Sequence, residues 1–167
     1  MMSSNQKGAI AEAWIAGEAL ELGCTVYRPT SEGSRYDLII DSRGRLLRVQ
    51  CKWASLKGAI VVVYTITSRL TPRGYVRTTY QPTEIDGIAA YCHALKRCFW
   101  LPIDEVAGKS VVHLRQEPAR NGQRAGLIWA DDYPLGAIAQ LGERRHGMAE
   151  AGGSSPPSST SNVRPLR

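Results

Sequence analysis

The stretch that decides the fold covers residues 36–53 and reads YDLIIDSRGRLLRVQCKW. Its first part, residues 36–41, is rich in apolar and β-branched side chains, which predicts a strand. Residues 42–45 form a turn sequence, and residues 46–53 then predict the return strand of a hairpin. Because side chains alternate between the two faces of a strand, the return strand has an apolar face and a polar face. The apolar face carries Leu47, Val49 and Cys51, and the polar face carries Arg48, Gln50 and Lys52.

This hairpin brings a carboxylate, an amide and a lysine together. Asp37 stands early in the first strand, opposite the polar face that carries Gln50 and Lys52. A carboxylate can hold a divalent cation, and that cation can polarise a phosphate and activate a bound water. A lysine can position the water or offset developing negative charge. The three residues therefore predict a site that hydrolyses phosphodiesters. Each residue also has a purely structural interpretation. Asp37 could cap a strand or pair with an arginine, Lys52 could lie on a solvated strand face, and Gln50 could be only a polar strand residue.

The N-terminal segment adds a second carboxylate. Ser3 to Asn5 can cap a helix, whose periodicity continues to Leu22, and Gly23 suits its C-terminal end. Around Glu12 this helix is apolar nearly all round, so we expect it to be largely buried. A buried charge must be paired, solvated through a cleft or bound to a metal. Glu12 is therefore a candidate metal ligand, and the alternative is an ion pair with Arg35 or Lys52.

The other segments predict mostly strands. Strands are expected at residues 24–28, 59–66, 87–92, 98–101 and 111–115, with a closing segment at 129–133 and one helical turn at 103–106. Residues 67–82 are predicted to form a basic loop in which Tyr75 and Tyr80 could touch bases, although packing is the better interpretation. A helix followed by mostly antiparallel strands is an α+β pattern.

Positive charge is concentrated in one part of the chain. The whole chain has a formal net charge of +6, whereas residues 28–77 hold ten basic and three acidic residues, a local net charge of +7. Such a segment suits the phosphate backbone of a nucleic acid. The candidate DNA-binding residues in this segment are Arg35, Lys57, Arg69, Arg73 and Arg77. A solvated basic loop is the alternative.

Cysteine spacing and hydropathy exclude several classes of protein. The four cysteines form no C-x-x-C pair, so structural zinc is not expected, and three of the four are predicted to be buried thiols of a reducing compartment. The start of the chain has no apolar segment typical of a signal peptide. No apolar run approaches the length of a membrane span. We therefore expect a cytoplasmic protein.

The order of these residues resembles that of the PD-(D/E)XK nuclease superfamily. More closely, the chain resembles the family within it that includes group I intron-encoded homing endonucleases of bacteria. The resemblance covers about residues 5–134, so a PD-(D/E)XK endonuclease domain is assigned to residues 1–134. The matching stretches are KGAIAE at 7–12, YDLII at 36–40, VQCK at 49–52, EID at 84–86, YC at 91–92 and WLP at 100–102.

The resemblance implies a restriction-endonuclease-like core, a mixed β-sheet with flanking helices. It implies that Glu12 and Asp37 are metal ligands, Gln50 an amide ligand and Lys52 the catalytic lysine. It also implies Mg²⁺ as the cofactor, with Mn²⁺ as a substitute. The chain departs from the family motif at two positions, since Tyr36 stands in place of the motif proline and Gln50 in place of the motif acid. Glu12 would compensate for the second change. Glu84 and Asp86 match the family without a derivable chemistry, and a structural role is expected for them.

Three functions are compatible with these observations. The leading one is Mg²⁺-dependent cleavage of double-stranded DNA by a homing-type endonuclease that acts as a homodimer or homotetramer. A second is a DNA-binding module that has the nuclease fold but has lost catalysis. A third is a junction resolvase or repair nuclease that prefers a DNA shape to a sequence.

Residues 135–167 differ from the rest of the chain. From Ala151 onward they are rich in glycine, serine and proline, which is typical of disorder. The segments IAQLGER at 138–144 and GSSP at 153–156 match what the D-arm and the TΨC loop of a tRNA gene encode when they are translated. The hypothesis is that residues 135–167 are a disordered tail produced by translation through a tRNA gene.

Overall fold

The computed structural model describes residues 2–31, 33–72, 74–118 and 126–141, and it confirms the predicted α+β class. Its helices are α1 (Ser4–Glu21) and α2 (Ile103–Val106), and a 3-10 turn covers Ala130–Asp132. Its strands are β1 (Thr25–Tyr27), β2 (Leu38–Ser42), β3 (Arg45–Lys57), β4 (Ile60–Tyr64), β5 (Ile66–Thr71), β6 (Gly74–Thr79), β7 (Gly87–Cys92), β8 (Arg97–Pro102), β9 (Val111–Arg115) and β10 (Ile128–Trp129).

Strand β3 organises the main sheet. Within the described ranges, eight strands form one mixed sheet in which β3 pairs with β2, β4 and β7. The pairing with β2 and β4 is antiparallel, and the pairing with β7 is parallel. One arm of the sheet therefore runs β1-β2-β3-β7-β8, and the other runs β3-β4-β9-β10. Strands β5 and β6 form a separate antiparallel hairpin.

The turn between β2 and β3 sets the register of the site. Ser42 pairs with Arg45, so Arg43 and Gly44 form a two-residue turn with φ angles of 51° and 84°. Positive φ at both positions is typical of a type I′ turn, whose twist suits a β-hairpin. This register places Leu38 opposite Val49, and the residues that carry chemistry lie next to this pair.

Helix α1 is less buried than its composition predicts. It begins with a capping box formed by Ser3 and Gln6, and it packs across β3 and β7. Its buried residues are Ala11, Ile15 and Ala19, one stripe at a spacing of four. Because α1 covers only one face of the sheet, the rest of its surface stays accessible, including Trp14, which is 45% exposed. The expectation of a largely buried helix around Glu12 is wrong.

Two apolar cores lie on opposite faces of the sheet. One packs α1 against the apolar face of β3, and the other lies beneath β4, β8 and α2. The four cysteines are buried and unpaired, which confirms the prediction of buried thiols. Among the described helices, none is long and apolar enough to cross a membrane.

Residues 67–82 are mostly a hairpin, which corrects the predicted loop. Strands β5 and β6 pair from Ile66 opposite Thr79 to Thr71 opposite Gly74. Ile66 belongs to this hairpin, and the preceding strand β4 ends at Tyr64, two residues earlier than expected. The threonines and valine of the segment favour strands. Tyr75 is 73% exposed, so the interpretation that it packs is wrong.

Residues 135–141 are part of the folded domain, which corrects the start of the predicted tail. Leu135 and Ile138 are fully buried in the core beneath α1. The Ser42 hydroxyl donates a hydrogen bond to the carbonyl of Ala139 at 3.4 Å. The rest of the predicted tail, residues 142–167, lies outside the described residues.

Candidate active site

Asp37 lies where β2 and β3 stop pairing. Its backbone N–H donates to the carbonyl of Val49 at 2.9 Å. Val49 is the last residue of β3 that pairs with β2, so the N–H of Cys51 has no partner on that strand. That N–H donates instead to Oδ2 of Asp37 at 2.8 Å. The side-chain amide of Gln50 donates to the same oxygen. Strand register therefore fixes the Asp37 carboxylate beside Gln50, as the sequence predicts.

The electrostatics of the site disfavour the ionised form of Asp37. Burial raises the pKa of Asp37 above its ordinary value, the hydrogen bond from Cys51 opposes this rise, and repulsion by Glu12 adds to it. Attraction to Lys52 and the hydrogen bond from Gln50 lower the pKa by smaller amounts. Two carboxylates thus act on each other in a half-buried place. Positive charge from a ligand would relieve their repulsion.

Glu12 approaches Asp37 from α1 and is held by an arginine. Nη1 of Arg28 lies 2.9 Å from Oε2 of Glu12. This partner differs from Arg35 and Lys52, the two partners expected for Glu12 from the sequence. A pocket of about 270 Å³ opens between Glu12, Arg28 and Asp37 and continues along the loop at Gly33. The Glu12 side chain remains 29% exposed, so its charge is solvated as well as paired.

Lys52 points toward the β5–β6 hairpin. Its Nζ donates to the carbonyl of Ile66 and to the hydroxyl of Tyr80, both at 3.0 Å. The ammonium lies close enough to Asp37 to lower the pKa of that carboxyl. Within the part of the chain that the structure describes, the two groups form no direct ion pair. Lys52 is therefore an electrostatic neighbour of Asp37 with its own hydrogen-bond partners.

Three of the four predicted catalytic residues line one cleft. It has a volume of about 1020 Å³, and Asp37, Gln50 and Lys52 all line it. The hairpin contributes a wall that consists of Thr67, Ser68, Thr71, Val76 and Thr78. The pocket beside Glu12 shares Gly33, Ser34 and Asp37 with this cleft. Asp37 therefore stands between a cleft that contains Lys52 and a smaller pocket that contains Glu12.

The predicted DNA-binding residues differ in whether their side chains are exposed or already paired. Lys57 and Arg77 are exposed. The guanidinium of Arg35, in contrast, forms two hydrogen bonds of 2.9 Å to the carboxylate of Glu84. Arg35 also lines the cleft, so its role as a phosphate contact stays a prediction. Arg73 and the side chain of Arg69 lie outside the described parts of the chain.

The two family-matched acids have structural partners, as expected. Glu84 binds Arg35, which lowers the pKa of Glu84. Asp86 accepts from the Arg48 side chain at 3.0 Å and from the Arg48 backbone N–H at 2.7 Å. Arg48 shares a strand face with Gln50 and Lys52, so this ion pair fixes the loop before β7 against the strand of the site.

Sequence reasoning missed the roles of Arg28, Ile66 and Tyr80. Arg28 neutralises Glu12, while the Ile66 carbonyl and the Tyr80 hydroxyl hold Lys52. These contacts join segments that are 14 to 28 residues apart. No periodicity or motif in the chain signals them. A correct prediction of the β5–β6 hairpin would have placed Ile66 and Tyr80 at its base.

The donor set of the site fits a hard divalent cation by ligand type. Among the described residues, no group of three or more His, Cys, Asp and Glu side chains could hold a metal ion. Glu12 and Asp37 provide two carboxylates, so the amide oxygen of Gln50 is needed as a third oxygen ligand. Gln50 turns its nitrogen toward Asp37, so a half-turn of the amide would bring the oxygen there. Burial raises the pKa of the Cys51 thiol, which disfavours the thiolate form.

Comparisons with known proteins identify a family and a similar structure. The family model of the PD-(D/E)XK endonuclease matches residues 2–136. Among solved structures, the bacterial homing endonuclease I-Ssp6803I matches with a TM-score of 0.70 and 26% sequence identity. The match covers 89% of this chain and 99% of that one. A search of the curated proteins finds no match.

Proposed function

Because the chain belongs to the PD-(D/E)XK endonuclease family, we propose that it cuts double-stranded DNA by metal-dependent hydrolysis as a homing-type enzyme. The single observation that carries this proposal is the convergence of Asp37, Gln50 and Lys52 in one cleft. The similarity to a bacterial homing endonuclease over nearly its whole length supports the homing-type assignment.

We propose Mg²⁺ as the cofactor, with Mn²⁺ as a substitute. Glu12, Asp37 and the Gln50 amide oxygen would hold the ion, which polarises a phosphate and lowers the pKa of a bound water. Asp37 is already oriented by the N–H of Cys51. Lys52 supplies positive charge from the other side of the cleft, where it offsets the negative charge that develops on the phosphate.

The DNA would enter along the β5–β6 hairpin. This hairpin forms a wall of the cleft and carries the exposed Arg77, and the predicted contacts Arg69 and Arg73 belong to the same segment of sequence. Lys57, exposed at the end of β3, is a further proposed contact. Contacts of this kind bind the phosphate backbone irrespective of sequence. Cleavage of both strands requires two active sites, so we propose a homodimer or homotetramer.

The experiment combines binding and cleavage on the same DNA. The protein is incubated with a library of duplexes in EDTA, Mg²⁺ or Mn²⁺, and bound and cut molecules are both sequenced. We expect cutting only with a divalent ion. Lys52→Ala should still bind but cut about 10²-fold or more slowly, while Lys109→Ala, outside the cleft, should cut at the wild-type rate. Unchanged cutting by Lys52→Ala would exclude this site.

A second function is favoured by one observation, the amide of Gln50 in place of a carboxylate. With only two acidic ligands, the fold could bind DNA without cutting it. That function predicts salt-sensitive binding in the same experiment and intact DNA in both Mg²⁺ and Mn²⁺.

A further inference from the structure

Tyr80 is a buried residue that the proposed reaction does not use. It follows β6 directly and is 3% exposed. A buried tyrosine hydroxyl needs a hydrogen-bond partner, and here it accepts a hydrogen bond from Nζ of Lys52 at 3.0 Å. The same ammonium lies 5.1 Å from the centre of the Tyr80 ring. Tyr80 thus contacts Lys52 with both its hydroxyl and its ring.

The ammonium of Lys52 has three N–H donors, and two of them are occupied. One bonds the carbonyl of Ile66, the first residue of β5, and another bonds Tyr80 at the end of the hairpin. Lys52 also lines the cleft. One donor is therefore left for a water molecule or a phosphate oxygen, and its direction is set by the two bonds already made.

The ion pair between Arg35 and Glu84 also contacts Tyr80. The guanidinium of Arg35 lies 4.8 Å from the centre of the Tyr80 ring. Arg35 is itself held by two hydrogen bonds to Glu84 and by one of 3.2 Å to the carbonyl of Thr79. The ring therefore contacts a fixed guanidinium as well as the lysine, and these contacts restrict its movement.

We infer that Tyr80, braced by Arg35, is a positioning residue that aims the amine of Lys52 into the cleft and ties it to the β5–β6 hairpin. This inference rests on the proposed function, in which Lys52 acts on the phosphate. It gives Arg35 a role other than the predicted DNA contact. It also couples the position of Lys52 to that of the hairpin wall, since Ile66 begins the hairpin and Tyr80 directly follows it.

The first test is the rate of cleavage by Tyr80→Phe, which keeps the ring and removes the hydroxyl. Under single-turnover conditions with saturating enzyme, we expect cleavage to slow about tenfold or more, since small errors in position are costly in catalysis. The dissociation constant for DNA should stay at the wild-type value, and the Tm should fall by only a few degrees, as expected for the loss of one buried hydrogen bond. The control is Tyr64→Phe, a tyrosine 51% exposed on β4, which should cut normally. A wild-type rate for Tyr80→Phe, or a loss of rate explained by weaker DNA binding or by unfolding at the assay temperature, would overturn the inference.

The second test does not depend on cleavage. The full-length protein is treated with a limiting amine-acylating reagent, and modification of Lys52 is measured by mass spectrometry relative to the exposed Lys57. Removal of the Tyr80 hydroxyl should release the amine and raise the relative reactivity of Lys52 several-fold. Equal reactivity in both proteins would rule out the positioning role. If the wild type does not cut DNA but Lys52 is still more reactive in Tyr80→Phe than in the wild type, the proposed function is rejected and the positioning contact between Tyr80 and Lys52 is kept.

Discussion

At the scale of single residues, Gln50 determines how the site behaves without metal. Its amide donates to the Asp37 carboxylate that burial and Glu12 already disfavour in ionised form. A carboxylate in its place would add a third negative charge. The amide therefore stabilises the metal-free site and weakens its attraction for a cation.

Gln50→Glu should destabilise the metal-free site and strengthen its attraction for a cation. In EDTA the variant loses the hydrogen bond and gains a like charge beside Asp37, so its free energy of unfolding should fall by about 1–3 kcal/mol. In Mg²⁺ the third carboxylate should bind the ion more tightly, so the Tm of the variant should rise more than that of the wild type. Thermal unfolding with and without the ion measures both effects. A variant whose Tm does not respond to Mg²⁺ would argue against a metal site at Gln50.

Asp37 makes stability depend on pH in a defined direction. Its folded-state pKa is raised by burial, so the folded protein holds this proton at pH values where the unfolded chain has lost it. Stability should therefore decrease as the pH rises from about the ordinary pKa of Asp through the raised value. Without metal, Asp37→Asn should be more stable than the wild type at pH 7. The difference should disappear at pH values below the ordinary pKa. Urea unfolding across this range tests the sign, and a less stable Asp37→Asn at pH 7 would contradict it.

The sequence could predict the meeting of Asp37 with Gln50 because the two residues belong to one hairpin. Alternation and a two-residue turn are local rules, and they fix which side chains share a face. The partners of Glu12 and Lys52 could not be predicted in this way. Their contacts depend on how the loop at Arg28 and the β5–β6 hairpin pack in three dimensions.

At the scale of elements, the close packing of β7 against β8 depends on a glycine. Gly87 opens β7 opposite Val49. A Cβ atom at Gly87 would lie 2.3 Å from Cη2 of Trp100 and 2.7 Å from the carbonyl oxygen of Leu101. A side chain of any size therefore has to displace the neighbouring strand β8.

Gly87→Ala should destabilise the protein by about 1–3 kcal/mol through overpacking. The matched control is Gly8→Ala in α1, where a Cβ meets nothing within 4 Å. There the loss of backbone freedom in the unfolded chain should stabilise the protein by about 0.5–1 kcal/mol. Chemical denaturation compares the two. Equal effects in both variants would show that the close approach at Trp100 is not a constraint.

The β5–β6 hairpin shows where sequence reasoning failed at this scale. Its arginines, prolines and glycine suggested a loop, because exposed strands lack the apolar alternation of core strands. The pairing of Ile66 with Thr79 joins residues 13 apart and is not visible in local composition. The hairpin over residues 36–53 was predictable because one of its faces is buried.

Arg77→Ala should weaken DNA binding about equally for all sequences and reduce the salt dependence of log K by about one phosphate contact. The control, Arg45→Ala, also removes one positive charge. Arg45 is the first residue of β3, seven residues before Lys52 along that strand. It should leave affinity nearly unchanged. Fluorescence anisotropy at several salt concentrations measures both. A salt slope that does not change in Arg77→Ala would exclude the hairpin as a phosphate-binding surface.

At the scale of the whole molecule, residues 135–141 complete the core. Leu135 and Ile138 are fully buried beneath α1, although the change in composition suggested that the domain ends at residue 134. Ile138 begins the stretch that the tRNA read-through hypothesis assigns to a D-arm. If the coding sequence contains a tRNA cloverleaf there, the same codons specify part of the core.

Leu135→Ala should cost about 2–5 kcal/mol of stability, as other buried leucines do when they are truncated. Leu46→Ala, at a leucine that is 61% exposed, should cost less than about 0.5 kcal/mol. Equilibrium unfolding in urea compares the pair. If both variants lose equally little stability, residues 135–141 do not belong to the core and the predicted tail begins at residue 135.

We propose that the cleft at Asp37 hydrolyses DNA when a divalent ion is supplied. The most direct measurement is the nicking of supercoiled plasmid by the wild type, Asp37→Ala and Asp41→Ala, each in Mg²⁺ and in EDTA. Asp41 is a matched carboxylate that accepts a hydrogen bond from the N–H of Gly44 in the turn at the far end of β2. We expect nicking by the wild type and by Asp41→Ala in Mg²⁺ alone, and none by Asp37→Ala. Nicking by Asp37→Ala at the wild-type rate, or nicking that persists in EDTA, would show that this cleft is not the metal-dependent active site.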